Sequence, residues 1–174
     1  MAVMIATYVK KGVRERADAK ETIRYIQHRT GKDNEKMSRT LFGLDGVMDR
    51  HQAYRMIDEA TKGRYFYRII INPDPTREDT ERDLPLRELI EATMETLAAR
   101  REMHIPWVAA VHDDHSDKRH IHALAVVKGR LKIEDLQALR EAATEEALFR
   151  RRERDLMREE ARQEREREEA QWER

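Results

Sequence analysis

The apolar residues of the chain fall into two patterns, and each pattern predicts a different kind of element. One is an unbroken run of bulky side chains, and the other is a repeat every three to four residues. Residues 2–9 and 65–72 are rich in β-branched and aromatic side chains, which is typical of strands. Residues 17–29 repeat apolar positions every three to four residues, which predicts a helix with one buried face. The positions of that helix expected to face inward are Ala19, Thr22, Ile23 and Ile26.

Two further helices are predicted by the same spacing, over residues 47–61 and 86–104. Residues 105–112 and 120–127 are predicted strands, and the seven polar residues that join them indicate a hairpin. From about residue 133 the pattern is helical to the end of the chain. This order of elements predicts an α/β (α+β) fold class, in which helices pack on a largely antiparallel sheet and a long charged helix ends the chain.

The segments between these elements carry turn residues. Residues 30–36 (TGKDNEK) are predicted as a loop, and residues 41–46 as a turn closed by the apolar side chains of Leu41 and Phe42. Residues 73–85 contain three of the four prolines and are also predicted as a loop. The sequence therefore predicts regular structure on either side of these segments but not within them.

The composition limits the size and location of the protein. The chain has 174 residues, of which 40% are charged and 39% apolar, so it is long enough for one domain with a modest core. We predict a domain over residues 1–130 and a charged helical extension over residues 131–174. The Glu/Arg pairs of the extension favour a solvated helix over a contact with DNA or a partner. No apolar run is long enough to span a membrane and the N-terminal run lacks a basic start, so a cytoplasmic location is expected.

The formal net charge is zero, but the charge is unevenly distributed. Residues 1–50 carry 11 basic and 7 acidic side chains, whereas the rest of the chain is slightly acidic. A nucleic-acid binder usually presents a basic face. Overall neutrality therefore argues against DNA binding, and the basic N-terminal part argues for it.

Four of the seven histidines fall within residues 112–122, HDDHSDKRHIH. Side chains two apart in a strand share a face, so His120 and His122 project together. His112 ends the preceding strand, and hairpin pairing would bring its ring near the other two. The alternative is a polar strand rim with scattered histidines. Three converging imidazoles would leave open coordination positions, as catalytic metal sites do.

Several other residues extend this candidate site. The chain has no cysteine, so a metal would have imidazole and oxygen ligands, which suits Mg, Mn, Zn or Ni. The aspartates of the connection either orient the metal ligands or are ordinary turn residues. Tyr25 lies between the inward positions Ile23 and Ile26, on the flank of the buried helix face, from which it could reach the sheet surface. A tyrosine there is more often a half-buried packing residue than a nucleophile.

Taken together and in this order, the elements resemble those of HUH endonucleases, and most closely the mobilisation relaxases of the MobA and VirD type. The stretch at 112–122 resembles the family's His-hydrophobic-His motif. The helix ADAKETIRYIQHR (17–29) is similar to the family's tyrosine helix, which ends in YIQR. YFYRIIINPDP (65–75) is similar to the family's strand followed by a proline turn. The resemblance covers about residues 1–130, and the charged tail lies outside it.

The resemblance implies a metal-dependent, site- and strand-specific single-strand DNA endonuclease and transesterase (a relaxase). Such an enzyme acts at an origin of transfer in the conjugative mobilisation of a plasmid or an integrative element. Tyr25 would form a covalent 5′-phosphotyrosine and release a 3′-hydroxyl, so that religation needs no ATP. His112, His120 and His122 would hold Mg or Mn, with Zn or Ni as alternatives. Because phenols ordinarily ionise near pH 10, a base or the metal must help to remove the proton, and His28 is the residue expected nearby.

The resemblance also implies the binding partners. Single-stranded DNA would be held by basic side chains of the N-terminal part, in a salt-dependent manner. These residues are Lys10, Lys11, Arg14, Lys20, Arg24, Arg29 and Lys32. The alternative to a solvated C-terminal helix is a contact with an accessory or coupling protein, and no membrane is involved. Asp114, His115 and His28 would orient the groups of the site.

Three rival interpretations remain. An HUH replication initiator or transposase usually has its tyrosine after the histidine motif, whereas the tyrosines here, at positions 8, 25, 54, 65 and 67, all precede it. A non-catalytic DNA-binding accessory protein with a metal-stabilised histidine site would use Tyr25 only for packing. An RNA-processing phosphoesterase with paired His-x-Thr motifs is disfavoured, because the chain contains a single His-x-His.

Overall fold

A computed structural model of the chain describes residues 3–8, 14–30, 36–113 and 118–172. These residues form four helices and eight strands. The strands are β1 (Val3–Tyr8), β2 (His28–Thr30), β3 (Lys36–Ser38), β4 (Leu41–Gly43), β5 (Gly46–Met48), β6 (Arg64–Asn72), β7 (Trp107–His112) and β8 (His120–Lys128). The helices are α1 (Glu15–Gln27), α2 (Arg50–Asp58), α3 (Leu86–Arg101) and α4 (Ile133–Trp172).

Six of the strands form one antiparallel sheet in the order β1-β6-β8-β7-β4-β5. The predicted hairpin is confirmed, because β7 pairs with β8 from Trp107 opposite Ala125 to His112 opposite His120. The remaining pair, β2 and β3, forms a separate two-stranded sheet. The predicted class of helices on a largely antiparallel sheet is therefore confirmed.

Each face of the sheet has its own hydrophobic cluster. Successive residues of β6 point to opposite faces of the sheet and so contribute to different clusters. Ile69 and Ile71 belong to the cluster under α3 and α4, whereas Phe66 belongs to the cluster under α1 and α2. On α1 the buried positions are Ala19, Thr22, Ile23 and Ile26, as the spacing predicts. The α1 and α2 face is the one that carries the candidate site.

The region between α1 and β6 differs from the prediction. Residues 46–48 form β5, and the second helix begins only at Arg50. The reason is a capping box at Asp49, whose carboxylate accepts a hydrogen bond from the Gln52 backbone N–H at 2.8 Å. The Gln52 side chain returns the bond by accepting from the Asp49 N–H at 2.7 Å. Parts of the predicted loop 30–36 and turn 41–46 form the strand pairs β2–β3 and β4–β5.

The long helix α4 has a packed half and an exposed half. Its buried side chains include Leu139, Ala143 and Ala147, which belong to the cluster under α3 and α4. Further along, Arg154 and Arg158 pair with Asp83 in the loop 73–85. Beyond Arg158 the described residues are exposed. No helix in the described parts of the chain is both long enough and apolar enough to cross a membrane.

Candidate metal centre

Three histidines converge because of the strand register. His112 of β7 lies directly opposite His120 of β8, and His122 lies opposite Ala110, two positions along on the same face. The ring centroids are separated by 4.4 Å for His112 and His122, 5.0 Å for His120 and His122, and 5.2 Å for His112 and His120. One nitrogen from each ring lies within 4.8 Å of the others, so this trio could hold a metal ion.

Backbone carbonyls orient two of the three rings. His112 is 1% exposed, and its Nε2 lies 2.9 Å from the carbonyl oxygen of Ile26. The Nδ1 of His120 lies 3.1 Å from the carbonyl oxygen of Lys118. A carbonyl can only accept, so these nitrogens carry the protons and the other nitrogen of each ring carries the lone pair that a metal requires. Metal-binding histidines are ordinarily held in this way, so the residues fit a bound divalent ion.

Tyr25 lies beside this trio at the C-terminal end of α1. Its side chain is 51% exposed, and its ring meets that of His122 edge to face, with centroids 5.8 Å apart and planes at 81°. The next residue, Ile26, is 1% exposed and supplies the carbonyl that binds His112. The last turn of α1 is therefore fixed to the histidine cluster by one buried hydrogen bond, and this bond places the phenol next to the imidazoles.

A cleft of about 610 Å³ opens beside Tyr25 and His122, between α1 and the sheet. Its charged side chains are Asp18 and Glu21 from α1 and Arg68 from β6. Arg68 is exposed and makes no ion pair with any described residue. Although β6 lies inside the sheet, between β1 and β8, the side of it that carries Arg68 opens into this cleft. The other lining residues are Thr7, Thr22, Ile26, Ile70 and Ala123.

Sequence analysis missed these three charged residues. For Arg68 a signal was present, since it is the one charged residue inside the otherwise apolar run 65–72. Glu21 and Asp18 precede Tyr25 by four and seven residues, a spacing that places all three on one side of the helix. Arg68 reaches the site because β6 pairs with β8, and no sequence pattern predicts this pairing.

The start of β8 is clamped on the opposite face of the sheet. Arg119 Nη1 lies 3.2 Å from both carboxylate oxygens of Asp79 and 3.2 Å from the carbonyl oxygen of Leu84. The Leu84 N–H also donates to Asp79, at 2.8 Å. Both partners of the ion pair are largely buried. Because His120 follows directly, this clamp fixes the strand position from which its ring projects.

The other predicted site residues are more scattered. Lys20 donates to Asp58 at 2.7 Å, whereas the side chains of Arg14 and Arg24 are exposed. His28 contacts the guanidinium of Arg50, and the residues that line the Tyr25 cleft do not include it. Outside the described residues lie Lys10, Lys11, Lys32, Asp114, His115 and the side chain of Arg29.

Comparison with known proteins adds no relative. No protein-family model, curated protein or solved structure matches the chain. The site must therefore be judged on its own geometry, which is a histidine trio, a neighbouring phenol and a cleft that carries both acidic and basic groups.

Proposed function

We propose that the protein is a metal-dependent nickase of single-stranded DNA, a relaxase of the HUH type that acts at an origin of transfer. The observation that carries the proposal is the edge-to-face contact of Tyr25 with His122, one of three histidines that could hold a metal ion. A phenol beside an ion site is the arrangement that a tyrosine transesterase requires, because the nucleophile and the phosphate must meet at one place.

In the proposed reaction, the Tyr25 oxygen attacks the scissile phosphorus. A new bond forms between phosphorus and the phenolic oxygen, and the bond from phosphorus to the 3′-oxygen breaks. The 3′-oxygen leaves and takes up a proton, so that the products are a 3′-hydroxyl and a 5′-phosphotyrosine. One ester replaces another, so the reverse reaction rejoins the DNA without a further energy source. A divalent ion, Mg or Mn in the first instance, would offset the charge on the non-bridging oxygens when bound to His112, His120 and His122.

We assign to Glu21 the role of the general base that accepts the proton from the Tyr25 hydroxyl. This carboxylate lies one helical turn before Tyr25 and lines the same cleft, whereas His28 contacts Arg50. General-base catalysis requires a proton acceptor within reach of the nucleophile, and a carboxylate can serve. Asp18, a further turn away, lies on the same side of the helix.

Arg68 would bind the phosphate from the sheet side of the cleft. No described carboxylate pairs with it, so its guanidinium keeps its full charge for a ligand. Guanidinium groups bind phosphate oxygens with two parallel hydrogen bonds, which also fixes orientation. Arg68 on the sheet and Tyr25 on the helix would then approach the phosphate from two sides.

The test uses a pool of single-stranded oligonucleotides of randomised sequence, labelled at the 3′ end and incubated with Mg or Mn. After denaturation, a nickase gives protein-linked label, because the 5′-phosphotyrosine retains the 3′ segment. Tyr25→Phe should abolish the adduct. Tyr67→Phe is the matched control, since Tyr67 lies on the opposite face and its hydroxyl accepts from the Leu131 N–H at 2.8 Å.

Two results would contradict the proposal. If the pool binds but no adduct forms with either ion, the protein is a DNA-binding accessory protein instead. If the adduct survives Tyr25→Phe, another nucleophile carries the reaction.

A further inference from the structure

A second cleft lies on the other side of α1, between α1 and α2. It encloses about 590 Å³. Its lining residues are Ala17, Lys20, Arg24, Gln27, Arg50, His51 and Tyr54. Three of them carry basic side chains (Lys20, Arg24 and Arg50), one is a histidine, and none of these lining residues carries a carboxylate. We call this cleft the α1–α2 groove.

Most of the positive charge in the groove is not neutralised. Lys20 pairs with Asp58 at 2.7 Å, so its charge is offset. Arg50 donates to the side-chain oxygen of Gln27 at 2.7 Å and contacts the His28 ring, and neither partner has a carboxylate. Arg24 is exposed and has no ion pair within the described residues. Two guanidinium groups in the groove therefore keep their charge for an anionic ligand.

An aromatic ring lies among these cations. Tyr54 packs against the cluster under α1 and α2, and the Lys20 ammonium lies 5.4 Å from its ring centroid. Proteins that bind single-stranded nucleic acid combine such features, since bases stack on aromatic rings and phosphates meet Arg and Lys. A peptide of acidic residues would use the cations but would have no use for the ring.

The position of the groove relates it to the Tyr25 cleft. Lys20, Arg24 and Gln27 form one stripe along α1, and Glu21 and Tyr25 lie on the neighbouring stripe, one residue further round the helix. A single-stranded DNA that lies in the groove therefore needs to cross only α1 to reach the Tyr25 hydroxyl. On α1 the acidic side chains Asp18 and Glu21 line the Tyr25 cleft, whereas the basic side chains Lys20 and Arg24 line the groove. The phosphate backbone of the DNA next to the scissile position is therefore drawn to the groove.

We propose that the α1–α2 groove binds a nucleotide of single-stranded DNA next to the scissile position, with its base on Tyr54 and its phosphate on Arg24 and Arg50. This inference rests on the proposed function for the identity of the substrate. The assignment adds Arg50 and Tyr54 to the residues that the sequence predicts to bind DNA.

The test measures binding of a labelled oligothymidylate of roughly 16 nucleotides by fluorescence anisotropy, in EDTA and over a range of salt concentrations. Arg24→Gln should lower the slope of log Kd against log salt concentration by about 0.7, because one phosphate contact is lost. Tyr54→Leu should weaken binding about tenfold without changing the slope, and Tyr54→Phe, which keeps the ring, should bind as the wild type does. Arg140→Gln, an exposed arginine of α4, is the control and should change neither quantity.

Wild-type affinity and slope in both Arg24→Gln and Tyr54→Leu would overturn the inference, as would an equal loss in Arg140→Gln. Thermal unfolding of each variant shows whether it is folded, and Tyr54→Met, which also lacks the ring, replaces Tyr54→Leu where that variant is unstable. The adduct assay separates this inference from the proposed function. If the groove variants lose binding but wild-type protein forms no adduct, the groove stands and the nickase fails. If the adduct forms and these variants bind normally, only the groove is wrong.

Discussion

The two faces of the sheet are built from the same strands but differ in what they contain. The face under α3 and α4 carries one large apolar cluster, which includes Ile69, Trp107 and Leu139. The face under α1 and α2 begins in the same way, with Phe66 and Val126 buried, but its other end carries the histidine trio. One face therefore supplies packing, and the other combines packing with polar groups.

The difference shows what the polar end requires. An imidazole buried on a sheet face costs stability unless its nitrogens are hydrogen-bonded. For the Nε2 of His112 the partner is the Ile26 carbonyl, so the helix that covers the face also supplies a hydrogen bond to its buried polar group. Supporting contacts lie on the opposite face, where Arg119 and Asp79 hold the start of β8. The apolar face thus serves as the scaffold of the polar one.

The largest effect is expected from removal of a metal ligand. His112→Ala should abolish measurable Mn binding in isothermal titration calorimetry and should abolish adduct formation, because two imidazoles replace three and the bond to Ile26 is lost. His104→Ala is the matched control, since His104 lies outside the trio, and should bind one Mn per chain as the wild type does. Equal Mn affinity in the two variants would mean that the trio is not the metal site.

The next effect concerns the proton of Tyr25. Glu21→Gln should slow adduct formation by roughly 10²- to 10⁴-fold, the usual contribution of a general base, and should leave Mn affinity unchanged. Asp18→Asn, two turns from Tyr25, should slow it less. The rates of both variants are measured under single-turnover conditions. The substrate is the labelled oligonucleotide whose sequence is identified from the adduct formed by the wild-type protein. A Glu21→Gln variant that reacts at the wild-type rate would remove this residue from the mechanism.

A core change on the apolar face should affect stability without affecting the site. Leu139→Ala should lower the free energy of unfolding by about 2–5 kcal/mol, because it leaves a cavity under α4. Mn affinity should stay at the wild-type value at temperatures where the variant is folded. Urea denaturation and calorimetry give the two quantities. A parallel fall in Mn affinity would show that the two faces are not separable.

The smallest effect is expected at the end of α4. Deletion of residues 159–174 removes described side chains that are all exposed, and it spares the contacts of Arg154 and Arg158 with Asp83. The free energy of unfolding should change by no more than about 0.5 kcal/mol, and adduct formation should be unchanged. A loss of DNA affinity on deletion would instead assign a binding role to the tail.

Much of the histidine trio could be predicted because its arrangement depends on local rules. The alternation of side chains in a strand places His120 and His122 on one face, and the short connection predicts the hairpin that brings His112 beside them. The buried face of α1 followed from the spacing of Ile23 and Ile26, and the structure confirms it. These features need only the periodicity of a single element or of two adjacent ones.

The missed features depend on short or distant pairings. Strands of three residues, such as β4 and β5, contain too few positions to show a period, and for this reason the sequence pattern places residues 47 and 48 in the following helix. Arg68 reaches the site only because β6 pairs with β8, more than fifty residues later in the chain. In α4, Leu139, Ala143 and Ala147 recur every four residues, but the many charged side chains around them obscured this apolar stripe.

The central claim is that Tyr25 and the histidine trio act together on one phosphate. It is tested most directly by peptide mass spectrometry of the protein–DNA adduct after digestion of the DNA. The account predicts a nucleotide attached through its 5′-phosphate to Tyr25, formed with Mg or Mn and absent in EDTA. Attachment to a different residue, or an adduct that forms equally well in EDTA, would contradict it.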